Sequence, residues 1–166
     1  MPEGKWVFDS EVTDAFEDML TRSIPQYEVM RQSCAALARR FVQRNTAIID
    51  IGCSRGEALA PLVAEFGAHN RFIGLDISEP MLTAARERFE GLIRCGVVSI
   101  DKWDLRQGLP PVQRASVILS ILTIQFVPIE YRQRIIQSVY DQLVPNGAFI
   151  IVEKVLGGTA AIDAAM

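Results

Sequence analysis

The stretch TAIIDIGCSRG at residues 46–56 constrains the fold of this chain more than any other part of its sequence. Its short β-branched run predicts a buried parallel strand, Ala47–Ile51, that leads into a tight turn and then a helix. Gly52 can adopt a positive φ and leaves room for a ligand against the backbone. Asp50 lies just before the turn, at the carboxyl edge where open α/β sheets bind ligands. We therefore expect a nucleoside-cofactor site at this turn.

The rest of the chain alternates between strand patterns and helical patterns. The further predicted strands are Arg71–Asp76, Gly96–Ile100, Ala115–Ile121 and Ala148–Val155. Helices are predicted near 57–66, 78–90 and 128–144, and the sequence PNG at 145–147 predicts a turn before the last strand. Strands that alternate with helices indicate right-handed crossovers. The predicted fold class is therefore an α/β protein with a doubly wound parallel sheet.

The first crossover helix carries two signals that conflict. Ser54 and Glu57 have the spacing of a capping box, which predicts the helix N-terminus beside the glycines. Pro61 would remove a hydrogen bond from the interior of such a helix. Either the helix bends at this proline or its regular part starts late.

The chain is predicted to form a single domain. Residues 46–155 make its α/β core, and residues 156–166 are typical of an unfinished tail. Residues 1–45 carry two predicted helices, the second of them Gln26–Val42, which either pack on the sheet or form a lid over the cofactor. Tyr27 is the residue of this segment that we expect to touch a ligand.

Composition and charge exclude several classes of protein. The net charge of −3 argues against an electrostatic nucleic-acid footprint. Neither a membrane span nor a signal peptide is recognisable, so the protein is expected to be cytoplasmic. Its cysteines, Cys34, Cys53 and Cys95, lack metal or redox spacing and are expected to be reduced. With a single histidine, His69, in a polar loop, neither a Ser-His-Asp site nor a histidine-based metal site is expected.

Three acidic residues come at or just after the carboxyl ends of the first three predicted strands: Asp50, Asp76 and Asp104. A doubly wound sheet places them along one edge. Asp76 follows the glycine turn at the distance typical of an acid that binds the ribose hydroxyls of a nucleoside. The alternative for each of the three is a role as a helix cap or turn residue.

Two loops are expected to complete the site. Asp104 is placed to accept a hydrogen bond from an adenine amino group, with Leu105 or Ile77 beside the ring, and Asp101 is the alternative acceptor. The segment SILTIQF, residues 120–126, follows the fourth strand and should face the transferred group. Its polar side chains either orient a small-molecule second substrate or form hydrogen bonds within the loop.

The charge of Asp50 separates two kinds of nucleoside cofactor. The turn GCSRG at 52–56 lacks the G-x-G-x-x-G spacing of dinucleotide sites, and no Gly-Lys-Ser/Thr sequence follows to make a P-loop. A carboxylate at this position repels a pyrophosphate and attracts the ammonium and sulfonium groups of S-adenosylmethionine. The predicted cofactor is therefore S-adenosylmethionine.

The segments DIGCSRG, GLDIS, WDL and PNGAFIIVEK together resemble a class I S-adenosylmethionine-dependent methyltransferase. The N-terminal FDSEVTDAFEDMLTRSIPQYEVM, the LTIQF segment and the final VEK are similar to the carboxy-S-adenosylmethionine synthases. The resemblance implies a Rossmann-like fold of strand order 3-2-1-4-5, without the closing antiparallel strands. It also implies an enzyme that carboxylates S-adenosylmethionine with prephenate, for the modification of wobble uridine in tRNA.

The resemblance implies a set of cofactor contacts, which are Tyr27, Gly52, Cys53, Ser54, Asp76, Ile77, Asp104 and Leu105. The family's asparagine after the fourth strand contacts the cofactor and aligns with Ile121, which is therefore a further candidate contact, although its side chain cannot form the asparagine's hydrogen bond. The family's basic residue for the extra carboxylate lies in a continuation beyond Met166, so Arg22 and Arg31 are the candidates to replace it. Catalytic residues are not identified.

In this strand order the fifth strand is an exposed apolar edge, which predicts a homodimer or a piece of a longer protein. Two alternatives to the synthase activity stay open. One is a conventional methyltransferase that acts on a small molecule or RNA. The other is a cofactor-binding protein without activity.

Overall fold

The computed structural model describes residues 18–112 and 114–155. These residues form a five-stranded parallel sheet of order β3-β2-β1-β4-β5. The strands are β1 (Ala47–Ile51), β2 (Arg71–Asp76), β3 (Val98–Lys102), β4 (Ala115–Ile121) and β5 (Leu143–Val152). The helices are α1 (Tyr27–Arg39), α2 (Ala60–Phe66), α3 (Glu79–Arg88), α4 (Glu90–Arg94) and α5 (Ile129–Gln142). The predicted fold class and strand order are confirmed.

The sheet lies between two helical layers because β1 is apolar on both of its faces. All five residues of β1 are buried. Ile48 packs in one core with residues of α1, α2 and α3, whereas Ile49 packs in a second core with residues of α5. A strand that is covered on both faces is the usual centre of a parallel sheet.

The helix α2 begins later than the capping-box pattern predicts. Its N-cap is Leu59, and Pro61 lies in its first turn, where the missing proline N–H costs no hydrogen bond. The late start, rather than a bend, is therefore the alternative that the structure adopts. The capping-box prediction is wrong, since Ser54 has a left-handed backbone with φ 49° and lies in the preceding turn.

Two strands differ in their bounds from the prediction. The short helix α4, which the sequence pattern did not reveal, delays the start of β3 to Val98. The strand β5 begins before the predicted turn, because Leu143 pairs with Ala115 whereas Ala148 pairs with Val117. The PNG sequence therefore forms an irregularity inside β5, where Asn146 has a left-handed φ of 62°.

Several predictions concern the ends of the chain. Residues 18–23 are helical, in agreement with the end of the first predicted helix, whose beginning lies outside the described residues. The predicted tail at 156–166 also lies outside them. Within the described sheet, β5 pairs only with β4, and Ile151 is 47% exposed. No helix in the described ranges has both the length and the apolar character needed to cross a membrane.

Candidate functional site

The carboxyl edge of the sheet gathers the turn after β1 and the loop after β4. Gly52 has a φ of 73°, and its N–H donates to the Leu75 carbonyl oxygen over 2.7 Å. A Cβ atom at Gly52 would overlap the side chain of Thr123. The space that the sequence assigned to a ligand is thus filled, on this side of the glycine, by a loop residue. Both the backbone conformation and this close approach require glycine.

The loop after β4 is held by the end of β5. The Glu153 carboxylate accepts hydrogen bonds from the N–H groups of Ile124 and Gln125 over 2.7 and 2.9 Å. The Gln125 side chain in turn accepts from the Lys154 N–H over 3.0 Å. Leu122 adopts a left-handed φ of 57°, which is strained for a branched side chain. A fixed network therefore maintains this strained segment against the glycine turn.

The polar members of SILTIQF take loop roles in this structure. The Thr123 hydroxyl donates to the Ile121 carbonyl oxygen over 3.3 Å, and Gln125 holds the β5 end as described. The fully buried Ser120 hydroxyl has no hydrogen-bond partner within the part of the chain that the structure describes. The structure thus supports the alternative of loop hydrogen bonds for Thr123 and Gln125.

Asp76 links the glycine turn to the start of α3. One carboxylate oxygen accepts from the Ser54 N–H over 2.8 Å. The other accepts from the N–H groups of Ile77 and Ser78 over 2.8 and 2.9 Å. These bonds fix the carboxylate in position, and each oxygen keeps further acceptor capacity. The carboxylate that we predict to bind the ribose hydroxyls is therefore held in place at the mouth of the glycine turn.

The loop after β3 lies beside Asp76, because the Trp103 N–H donates to the Asp76 carbonyl oxygen over 2.8 Å. Asp104 accepts from the Arg106 N–H over 3.0 Å and also forms an ion pair with the Arg106 guanidinium. Hydrogen bonds from Arg106 hold the pKa of Asp104 below its usual range. The cap role foreseen as the alternative is present, so an adenine amino group would share this carboxylate with Arg106.

The apolar neighbours of the predicted adenine position differ in exposure. Ile77 is 57% exposed at the start of the loop after β2, whereas Leu105 is half-buried against the second core. The alternative acceptor, Asp101, is exposed near the end of β3. An exposed isoleucine beside a fixed carboxylate offers an apolar face to a planar ring.

Asp50 is buried under this edge, with an exposure of 2%. Burial raises the pKa of Asp50 to about 7, while the Arg31 charge lowers it and the charges of Asp76 and Glu57 raise it further. Burial therefore favours the neutral form of this carboxyl group. The prediction that Asp50 attracts a cationic cofactor assumed a charged carboxylate. A cation beside Asp50 would favour that charged form.

Cys53 is placed differently from the other residues of the turn. Its side chain is 3% exposed and belongs to the first core, and its thiol donates weakly to the Ser54 carbonyl oxygen. Burial raises the pKa of this thiol well above its ordinary value. Only the backbone of Cys53 is available to a ligand.

A cavity of about 350 Å³ lies between α1, the turn after β1 and the end of β4. This volume falls within the range of small-molecule sites, about 300–1,000 Å³. Two of the predicted cofactor contacts, Tyr27 and Ile121, line the cavity, together with Arg31 and Glu57. The helix α1 thus forms one wall of the candidate site, as the lid hypothesis for the N-terminal segment requires.

The family of the chain follows from comparison with known proteins. Residues 48–147, which carry the glycine turn, Asp76 and Asp104, match the family described as methyltransferase domain. The chain belongs to this family. The predicted resemblance to class I S-adenosylmethionine-dependent methyltransferases is thereby confirmed.

Curated relatives of this methyltransferase domain include carboxy-S-adenosyl-L-methionine synthases. The protein of that name from Methylococcus capsulatus is 38% identical over 157 residues, which cover 94% of this chain and 64% of the relative. The one from Hydrogenovibrio crunogenus is 31% identical over 163 residues, covering 98% and 64%. The chain therefore spans slightly less than two thirds of the length of these relatives.

Solved structures of other proteins share the fold of the domain. Streptomyces venezuelae DesVI matches with a TM-score of 0.67 at 21% identity, covering 93% of this chain and 61% of that one. CalS10 from Micromonospora echinaspora, an amino pentose methyltransferase solved with S-adenosylmethionine bound, matches with a TM-score of 0.68 at 16% identity, covering 93% and 60%. At these identities the likeness concerns the fold alone.

Sequence reasoning missed the role of Glu57 in this methyltransferase domain. Its carboxylate lies 3.6 Å from Arg55 and 3.3 Å from Arg88 at the wall of the cavity. The capping-box spacing drew attention to its local role and gave no sign of a partner on α3. The contacts of Glu153 with the loop after β4 were also not predicted, because they join residues that are 28 and 29 positions apart in the sequence. Glu153 had entered the prediction only as part of the VEK segment of the resemblance.

Proposed function

We propose that this methyltransferase domain binds S-adenosylmethionine and acts as a transferase of the carboxy-S-adenosylmethionine synthase type. The observation that carries the proposal is the Asp76 carboxylate, which backbone N–H groups of the glycine turn and of the loop after β2 hold at the carboxyl edge of the sheet. The curated relatives named carboxy-S-adenosyl-L-methionine synthase support the choice of branch.

The residues of the edge fit the two ends of the cofactor. Asp76 would accept from the ribose hydroxyls, and Asp104 from the adenine amino group. Ile77, which is 57% exposed, would cover one face of the ring. The backbone at 52–54, together with Tyr27 and Ile121, would enclose the methionine end, next to the buried Asp50.

Bound S-adenosylmethionine supplies a sulfonium centre, which activates the groups bonded to it. In the synthase reaction the carboxyl group of prephenate is transferred to the cofactor, and the product serves the modification of wobble uridine in tRNA. The domain would bind prephenate as its small-molecule second substrate without touching the tRNA itself.

A conventional methyltransferase is the second candidate. Ile121 lines the cavity at the position where the synthase family has an asparagine. An isoleucine cannot form the hydrogen bond that the asparagine makes to the cofactor, and this departure from the synthases supports the second candidate.

The nucleoside released from the purified, denatured protein tests both candidates by mass spectrometry. We expect carboxylated S-adenosylmethionine from a synthase. S-adenosylmethionine or S-adenosylhomocysteine would favour the methyltransferase or an inactive binding protein, and a dinucleotide would overturn the proposal. Incubation with S-adenosylmethionine, with and without prephenate, then shows whether the carboxylated product depends on prephenate.

We propose further that the protein is cytoplasmic and forms a homodimer, which the exposed edge of β5 supports. Ile151 on this strand is 47% exposed, and a strand whose outer edge has no partner among the described residues can pair with another chain. A second copy would complete the sheet on the side away from β4.

A further inference from the structure

The loop after β3 carries the carboxylate that we expect to bind the adenine amino group, and an arginine of the same loop already binds it. The Arg106 Nε atom donates to Oδ1 and Oδ2 of Asp104 over 3.0 and 2.9 Å, and its Nη2 atom also donates to Oδ2. An incoming base therefore meets a guanidinium at both oxygens of this carboxylate.

The backbone that carries this ion pair is fixed. The Trp103 indole N–H donates to the Gly108 carbonyl oxygen over 2.7 Å, which closes the loop around the pair. Arg134, from α5, donates to the Arg106 carbonyl oxygen over 3.3 Å. The pair therefore keeps its place beside the predicted ribose site.

The guanidinium keeps hydrogen-bond donors for a ligand. Its Nη1 amino group binds no acceptor among the described residues, and the Arg106 side chain is 54% exposed. Hydrogen bonds from Arg106 lower the pKa of Asp104, so this carboxylate is charged and acts only as an acceptor. The pair therefore presents an acceptor and free donors side by side.

The group at the purine 6-position interacts differently with the two side chains. A 6-amino group donates to a carboxylate and finds no acceptor on a guanidinium, so it must compete with the arginine for the carboxylate oxygens. A 6-oxo group accepts from a guanidinium, as O6 of guanine does from arginine. A carboxylate without the arginine would reject the 6-oxo group, because two acceptors would then face each other.

We propose that Arg106 weakens the selectivity of this domain for adenine, because it competes for Asp104 and donates to a purine 6-oxo group. The inference rests on the proposed function, which places the base of S-adenosylmethionine at Asp104. Arg106 is thus a specificity-determining residue outside the predicted set of cofactor contacts. The domain then binds 6-oxo nucleosides, the products of adenine deamination, better than the carboxylate alone would allow.

Calorimetric titration with S-adenosylhomocysteine and with its deaminated analogue, S-inosylhomocysteine, tests the role of Arg106. The two nucleosides differ only at the edge of the base. Arg106→Leu should raise the preference for the adenine nucleoside about 5- to 10-fold, through the lost contact with the 6-oxo group and the end of competition at a partly exposed pair. Arg106→Lys keeps the charge without the planar fork and should give an intermediate preference.

Arg94→Leu is the matched control. Arg94 forms a surface ion pair with Glu90 over 3.5 Å, and its side chain is 72% exposed. It ends α4, which leads into the amino end of β3, away from the carboxyl edge. Its loss should leave the preference at the wild-type value, and thermal melting verifies that each variant is folded.

Three results would overturn part or all of the reasoning. If the folded Arg106→Leu variant keeps the wild-type preference, the selectivity role is wrong while the proposed function stands. If this variant binds S-adenosylhomocysteine more weakly than the wild-type protein does, Arg106 supports adenine, for example through N1, and the competition is wrong. If the wild-type protein binds neither nucleoside, the proposed function itself fails.

Discussion

Replacing Asp76 by asparagine removes one acceptor from the junction of β2, the glycine turn and α3. The carboxylate oxygen bonded to the Ser54 N–H over 2.8 Å becomes an amide nitrogen, so a donor faces a donor. The other oxygen keeps its bonds to Ile77 and Ser78. If the amide turns over, these two bonds are lost instead.

The cost of this change follows from the contacts. A charge-assisted hydrogen bond is replaced by an unpaired N–H group, which costs about 1–3 kcal/mol. Ser54 has a left-handed φ of 49°, a conformation that persists only when the surrounding contacts impose it. A loss of about 2 kcal/mol in the free energy of unfolding lowers the melting temperature by about 4–8 °C for a chain of this size. The affinity for S-adenosylmethionine should also fall about 10-fold or more, because the ribose acceptor is altered.

Thermal and urea denaturation measure the first effect, and calorimetric titration with S-adenosylmethionine measures the second. Asp104→Asn is the matched control for stability, because its ion pair with Arg106 is partly exposed and such pairs contribute about 0–1 kcal/mol. An Asp76→Asn protein with the wild-type urea midpoint would refute the preorganised junction. Wild-type affinity in this variant would mean that the ribose is held elsewhere.

The remaining predictions concern charge, packing and assembly. Because burial raises the pKa of Asp50 to about 7, the unfolded chain releases this proton at a lower pH than the folded one. The free energy of unfolding should therefore fall as the pH rises from about 4 to 7. The fall attributable to this residue is on the order of 4 kcal/mol; Asp50→Asn should abolish it in urea titrations at several pH values, and an unchanged slope would contradict the assignment. For the same reason, wild-type affinity for S-adenosylmethionine should weaken below about pH 7, whereas affinity that is constant across this range would contradict a charged contact at Asp50. Gly52→Ala should lower the free energy of unfolding by more than about 1 kcal/mol, because alanine is strained at this positive φ and its Cβ overlaps Thr123. The control, Gly91→Ala on the open surface of α4, should be neutral or slightly stabilising. Equal urea midpoints for the two variants would show that the turn relaxes. Ile151→Lys should shift a wild-type dimer to monomer in analytical ultracentrifugation, and a monomeric wild-type protein would refute the proposed edge pairing.

The sheet and its ligand edge could be predicted because their signals are local. The β-branched run at 47–51 and the strand of the same kind at 115–121 are buried on both faces, as their composition indicates. Asp76 and the glycine turn were recognised by their position after strands, and the structure brings them into direct contact through Ser54. Such signals can be recognised in the sequence without knowing which distant residues are in contact.

The bounds of several elements could not be obtained in the same way. The helix α4 has five residues, too few for a periodic pattern. Pairing with β4 draws Leu143 into β5 ahead of the PNG sequence, so a local turn signal is overridden by the hydrogen bonds of a neighbouring strand. Ser54 has no cap role because α2 begins only at Ala60, and the Ser54 N–H is bound by a carboxylate 22 residues away.

By itself the sequence determined the fold class, the strand order through a resemblance, and the residues at the ligand edge. The tertiary structure alone decided their electrostatic state, since the ionisation of Asp50 depends on its burial and on Arg31 from another element. It also decided that Thr123 closes one side of Gly52 and that Arg31 has no carboxylate partner among the described residues. The ionisation of a buried group and the space beside a glycine both depend on residues that are distant in the sequence. Only folding brings those residues together.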